Sequence, residues 1–210
     1  MPRVATHVDA GAVLTALVQG SVGPDVADDV DRRILDAAGR LLVDVGLEDL
    51  EVDDVAERAG VGRSTVYRRF DGRNALLAAT VAHEARRLLA ALGDAVAGID
   101  DPEDQLVTAF CTGLRLARAG GFAERIRDEP LLLRLLTVDG GPVLAAARLQ
   151  LTEVARTLDP KLDAAVAEET AEILVRLAVS LLLTPDSALD LDEGCEQTIR
   201  RHLAPMLRRR

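Results

Sequence analysis

An all-α fold is predicted by three observations. Apolar residues recur at three- and four-residue spacing along most of the chain, aromatics are only 2% of it, and no strand-period alternation persists at any length. With no Trp, one Tyr and three Phe, the core has to be built from Leu, Val and Ala, a composition that favours helices over strands. A chain of 210 residues, 49% of them apolar, has room for a small head and a larger core-bearing domain.

Taken in order, residues 1–30 form an N-terminal extension. Ala10–Val22 has apolar residues enough for a short helix, but Gly11, Gly20, Gly23 and Pro24 punctuate it, so an arm is expected. Such an arm lies along DNA, packs on the body or stays disordered; Arg3 against Asp9, Asp25, Asp28 and Asp29 leaves most of it unsuited to phosphate. A first helix follows from Ile34, Ala37, Ala38, Leu41, Leu42 and Val45, with Gly46 as its stop. Val52–Asp71 then has the spacing of a helix-turn-helix. Ala56 is small where two helices must approach, Gly60 falls at a turn needing positive φ, and Val66 faces back onto the first helix of the pair. Val55, Ala59 and Val61 complete the apolar side. Arg63, Ser64, Thr65, Tyr67 and Arg68 are left pointing outward, and these residue types bind phosphates and base edges.

A fourth helix is predicted from Arg73 to about Val96. Pro102 opens another, along which Leu106, Phe110 and Leu114 recur every four residues. Gly120 and Gly121 break the chain, Pro130 begins a short Leu-rich segment, and a helix runs from Gly140, Gly141 and Pro142 to about Leu158. Two more are expected over Leu162–Leu183, closed by Pro185, and Asp192–Leu207.

The head resembles that of the TetR-type bacterial transcriptional regulators. The likeness rests on ILDAAGRLLVDVG, VDDVAERAGVGRSTVYRRF and GRNALL, together covering roughly residues 31–80. Three positions depart from the family pattern: Glu51 stands where a Thr usually caps the second helix, Gly62 replaces a Ser cap, and Asn74 replaces an acidic residue. Asp53 and Asp54 in the first turn still suit the helix dipole, and glycine is an acceptable cap. The resemblance implies a helix-turn-helix DNA-binding domain over 31–75 and a helical ligand-binding and dimerisation domain over 76–210.

Net charge is −10, which looks wrong for binding DNA, but Gly62–Leu88 carries six Arg against Asp71 and Glu84, a local balance of +4. Such a field orients the head toward DNA and keeps the rest of the molecule off it. Cys111 and Cys195 do not by spacing define a disulfide framework. Each reads first as a buried small hydrophobe, with a redox-sensing pair as the alternative. The three His are scattered, so no metal or cofactor site is expected. No apolar run approaches the ~20 residues of a membrane span, and the amino terminus lacks the order of a secretion signal; a cytoplasmic, reduced protein is expected.

Together with the resemblance, these residues lead to the expectation of a homodimeric repressor released from a palindromic double-stranded operator by a small apolar or amphipathic effector. Arg63 and Arg68 are assigned to base edges, Ser64 and Thr65 to bases or phosphate, and Tyr67 and Arg73 to phosphate, with Arg69 also counted among the DNA-binding residues. The effector chamber is placed beside the fourth helix, lined by Phe110, Cys111, Leu114 and Phe122, with Thr108, Thr112, Arg115 and Arg118 as polar fixtures. The stripe of Leu174, Leu177, Ala178, Leu181, Cys195, Ile199 and Leu203 is read as either core or dimer bundle, and the resemblance favours the bundle. An enzyme would need convergent acid, base or metal groups, which the sequence does not offer. A small-molecule-binding helical dimer without operator recognition is the remaining alternative.

Overall fold

The computed structural model describes residues 28–119, 121–138 and 140–205; the arm expected at Ala10–Val22 lies outside them. The first helix, α1 (Asp29–Val45), starts earlier than the apolar pattern implied. Asp28 caps it, with one carboxylate oxygen accepting from the N–H groups of Val30 and Asp31 at 2.9 Å each. Those bonds, first the one to Asp31, together with the Arg69 guanidinium, hold the Asp28 carboxyl below its ordinary value of 3.8. A depressed folded-state value means that this contribution is complete above about pH 4 and is lost as pH falls through the lower folded value. Titrated by NMR, the amides of Val30 and Asp31 are therefore expected to shift together with the Asp28 carboxyl, below the ordinary aspartate range.

Helices α2 (Val52–Ala59) and α3 (Arg63–Arg69) form the helix-turn-helix. Gly60 sits at φ 66°, ψ 40°, the left-handed region, and Val61 N–H closes the turn on Ala56 O at 3.0 Å. Arg33 of α1 donates to the carbonyls of Ala59 and Gly60, and a Cβ on Gly60 would stand 3.2 Å from its guanidinium. Gly60→Ala is expected to cost about 1–2 kcal/mol from the left-handed backbone, read as a lower denaturation midpoint. Neither Glu51 nor Gly62 makes a side-chain cap bond, as their positions implied.

The head core joins Ile34, Ala37, Ala38 and Leu41 of α1, Val55, Ala56 and Ala59 of α2, Val66 of α3, and Leu76 and Leu77 of α4 (Gly72–Val96). Helix α4, roughly 37 Å long at 1.5 Å per residue, carries the chain from the head into the body. At its crossing with α1, the buried His83 Nε2 lies 2.9 Å from Asp36 Oδ1, and Glu84 packs where any side chain on Gly39 would collide with it.

The body comprises α5 (Pro102–Ala119), α6 (Phe122–Asp128), α7 (Pro130–Leu136), α8 (Gly141–Leu158), α9 (Ala164–Leu183) and α10 (Cys195–His202). Helix α6 was not anticipated: its seven residues span only two turns, too few to show a period. Helix α10 is shorter than the expected Asp192–Leu207 and ends in a turn at Leu203. Among the described residues, helices α8 and α9 make the most extensive helix–helix contact.

Helix α10 folds back along α5 and is fastened to one stripe of it. Arg118 pairs with Asp192 at 3.1 Å, Cys111 is disulfide-bonded to Cys195 with Cα atoms 6.0 Å apart, and Arg200 pairs with Asp104 at 2.6 Å. Between these links Val107, Leu114, Leu181, Leu191, Cys195, Ile199 and Leu203 form the second core, flanked by Phe110, Leu174 and Leu177. Two expectations are thereby corrected. The cysteines are not independent buried thiols. Leu181, Cys195, Ile199 and Leu203, between 1% and 9% exposed in a single subunit, are internal core and not a surface offered to a second copy. Ala178 is half-buried.

Candidate nucleic-acid interface

Val66 is the anchor of α3. It is 1% exposed, and burying its side chain fixes which face of this short helix turns outward. Arg63, Ser64, Tyr67 and Arg68 are exposed on that outer face, and Thr65 is half-buried at its edge. The Arg63 guanidinium lies 5.4 Å from the Tyr67 ring centroid and 2.8 Å from Asp53 on α2. Contact with Tyr67, and then the charge of Asp53, raise its already high pKa, so it stays cationic throughout the ordinary pH range. Among the described residues Arg68 has no ion pair or hydrogen-bond partner, and its charge faces solvent.

Two other arginines assigned to DNA are committed elsewhere. Arg69 Nη1 bridges Asp28 at 2.7 Å and Asp31 at 2.6 Å, tying the end of α3 to the start of α1. Arg73 donates from Nε to Leu50 O at 2.8 Å, and from Nη2 to Leu47 O and to Glu48 O, gathering the α1–α2 loop. Their charges still contribute to the local field, but their donors hold the head together. No local pattern marks these roles, because the partners are carbonyls and acids 23 to 41 residues away.

The same loop is gripped from the body. Glu129, between α6 and α7, accepts from Leu47 N–H, while Ile126 of α6 is buried in the head core and Leu136 of α7 and Leu183 of α9 pack against it. Arg127 of α6 in turn donates to Leu182 O of α9 at 2.9 Å. This second connection between body and head, beside α4, is a feature that sequence reasoning missed. Ile126 and Ala123 are buried on a helix of only two turns, too short for its spacing to stand out as a pattern.

The expected chamber residues divide into two groups. Phe110, Cys111, Leu114 and Arg118 lie on the α10 side of α5, where Leu114 is buried and Cys111 and Arg118 are linked to α10. Arg115 is exposed and donates to Thr112 Oγ1 at 3.0 Å, and Thr108 is half-buried. Nothing of the Phe122 side chain lies within the described residues. On its α4 side, Gly113 of α5 lets Leu92 approach to 3.4 Å of where a Cβ would stand. An open groove of about 250 Å³ lies between α8 and α9, lined by Arg148, Ala165, Glu168, Glu169 and Glu172, and its acidic lining is unlike the apolar chamber expected. Asp36, His83 and Glu84 place ligand atoms within 4.8 Å of one another, but Arg87 supplies the cation there, 3.6 Å from Asp36 and 3.3 Å from Glu84. That cluster is an ionic fastening of α1 to α4.

A three-helix head whose outer helix presents arginine, serine and tyrosine, mounted on a helical body, defines a helix-turn-helix DNA-binding regulator. Residues 34–80 match the family described as bacterial regulatory proteins, tetR family, and residues 101–205 match the bacterial tetracyclin repressor C-terminal domain. The chain is 32% identical over 166 residues to an uncharacterised HTH-type transcriptional regulator of Mycobacterium tuberculosis, covering 73% of this chain and 74% of that one. It is 28% identical over 193 residues to the HTH-type regulator AlkX of the same species, covering 84% of each. Among solved structures, the TetR family repressor AlkX from Dietzia sp., implicated in biodegradation of n-alkanes, shares its fold. That match has a TM-score of 0.65 at 24% identity and covers 84% of this chain and 96% of that one. The fatty acid degradation regulator FadR from Bacillus halodurans has the same fold at TM-score 0.53 and 19% identity, covering 88% and 99%. The chain belongs to the TetR family of bacterial transcriptional regulators. No helix among the described residues is long and apolar enough to cross a membrane.

Proposed function

We propose that this regulator is a homodimeric repressor that leaves a palindromic operator when a small apolar or amphipathic molecule binds its body. The observation that carries the DNA half is the outer face of α3, with Arg68 directed to solvent beside Ser64, Tyr67 and the Arg63–Tyr67 pair. Arg63 and Arg68 address base edges, Ser64 and Thr65 bases or phosphate, and Tyr67 phosphate. Arg63 must exchange Asp53 for DNA on docking. Asp53→Asn is therefore expected to tighten operator binding by up to about fivefold, the range of an exposed ion pair, measured by fluorescence anisotropy at fixed salt.

Helices α8 and α9 are the proposed dimer surface. They leave Leu149 58%, Val154 36% and Ile173 45% exposed, so apolar area remains there for a second copy. Pairing of this kind matches the four-helix bundle that the family resemblance implies, and sets two heads on half-sites about 34–36 Å apart. An alkyl-chain effector is supported by the alkane and fatty-acid contexts of the AlkX and FadR proteins that share this fold. Binding would favour one spacing of the heads through its differential affinity for two states, transmitted along α4 and through the α6–α7 contacts with the head.

The experiment is a titration of labelled DNA flanking the protein's own gene, first with protein and then with n-alkanes and fatty acids. Saturable binding reversed by one of these classes supports the reading. Binding that none of them releases removes the apolar effector, and no binding at low salt removes the repressor.

A further inference from the structure

We propose that Cys111 and Cys195 are a reversible thiol–disulfide switch, closed by a hydroperoxide, that fastens α10 to α5 or frees it. These are the chain's only cysteines, and the fold brings them together from 84 residues apart, on different helices. Their Cα separation of 6.0 Å lies within the range a disulfide spans without backbone movement. They also sit midway along the fastening. On one side is the Arg118–Asp192 pair, on the other Arg200 with Asp104, and all three links involve solvent-facing groups or the disulfide itself. Exposed ion pairs hold weakly. Once the disulfide is reduced, α10 is therefore retained by the apolar packing of a few side chains, Leu191 before it, Cys195 and Ile199 on it, and Leu203 and Ala204 in its terminal turn.

The inference rests on the DNA-binding reading in one respect. A protein that works on DNA shares the compartment where thiols are kept reduced, and disulfides there are commonly transient and redox-sensing. The two thiols differ in access, which gives the steps an order. Cys111 is half-buried and Cys195 is 5% exposed. Cys111 Sγ, as thiolate, attacks the hydroperoxide; the O–O bond breaks, an alcohol (water, from hydrogen peroxide) leaves, and Cys111 becomes a sulfenic acid. Cys195 Sγ then attacks that sulfur. The S–S bond forms as the S–O bond breaks, and the departing hydroxide takes the Cys195 proton as water. Overall, two thiols and one hydroperoxide give one disulfide, one alcohol and one water, with two electrons passing from sulfur to oxygen. A small dithiol returns both electrons and protons by exchange and becomes a cyclic disulfide.

Full-length protein reduced with dithiothreitol, freed of it and treated with one equivalent of hydrogen peroxide tests this. Alkylation with iodoacetamide followed by mass spectrometry counts the thiols. The expected result is two before peroxide, none after, and two again on re-reduction, with slower amide hydrogen exchange over residues 195–205 in the oxidised form. Two thiols persisting after peroxide, sulfinic or sulfonic acid accumulating on Cys111, or equal exchange in both states would each overturn the proposal. Cys111→Ser and Cys195→Ser should lose the peroxide-dependent change in exchange. If either variant folds poorly, the comparison of reduced with oxidised wild type still decides. Operator binding by the reduced protein is a separate measurement, so loss of the switch and loss of the DNA-binding reading are told apart.

Discussion

Ile199→Glu is expected to unfold the body of each subunit and not to split a folded dimer. Ile199 is 1% exposed inside one chain, packed with Val107, Leu114, Leu181 and Leu203. A carboxylate placed there loses its water without gaining a partner, a cost of several kcal/mol against a typical total stability of about 5–15 kcal/mol. Helix α10 is only eight residues long, and beyond this apolar packing it is held by the Cys111–Cys195 disulfide and by surface ion pairs, which do not compensate a buried charge. Ile173→Glu on α9 is the contrasting change. Its side chain is 45% exposed in the subunit, so the variant should fold, and the added charge should act only where a second copy covers it. Circular dichroism and sedimentation separate the two outcomes: lost helix for Ile199→Glu, folded monomers for Ile173→Glu. Folded monomers from Ile199→Glu would return the α10 stripe to the dimer interface.

Arg68→Ala is expected to weaken specific operator binding by about 1–3 kcal/mol, roughly 5- to 150-fold, with the melting temperature unchanged. Its side chain is exposed and makes no hydrogen bond or ion pair among the described residues, so removal should leave the fold intact and delete only what it does on DNA. Arg73→Ala should reverse that pattern. Its donors satisfy the carbonyls of Leu47, Glu48 and Leu50, and losing such charge-assisted bonds costs stability of about 1–3 kcal/mol. Operator affinity would then fall for every sequence alike, in step with the melting temperature. Equal specific and non-specific losses for Arg68→Ala would show that it contacts phosphate and not base edges.

The head was legible because its determinants are local. Ala56, Gly60 and Val66 lie within eleven consecutive residues, and close approach, left-handed turn and buried anchor each admit few residue types. The same holds for the starts of α5, α7 and α8 and the ends of α5 and α9, which fall at or near the Gly and Pro residues that marked them. Helix α6 escaped because a two-turn helix, with Ala123 and Ile126 buried, is too short for a period to be read.

Sequence by itself determined the helical class, the helix-turn-helix and the outward set of α3, since helical periodicity and turn stereochemistry act over a few residues. What covers each face was decided only by tertiary structure. Periodicity marks the Cys195–Ile199–Leu203 stripe as apolar, but whether α5 or a second copy buries it depends on how the chain folds back after Leu191. Likewise, Arg68, Arg69 and Arg73 are chemically alike in sequence. A long guanidinium reaches partners that sequence places dozens of residues away, so only the packing of α1 and its following loop separates the arginine left facing solvent from the two that hold the head together.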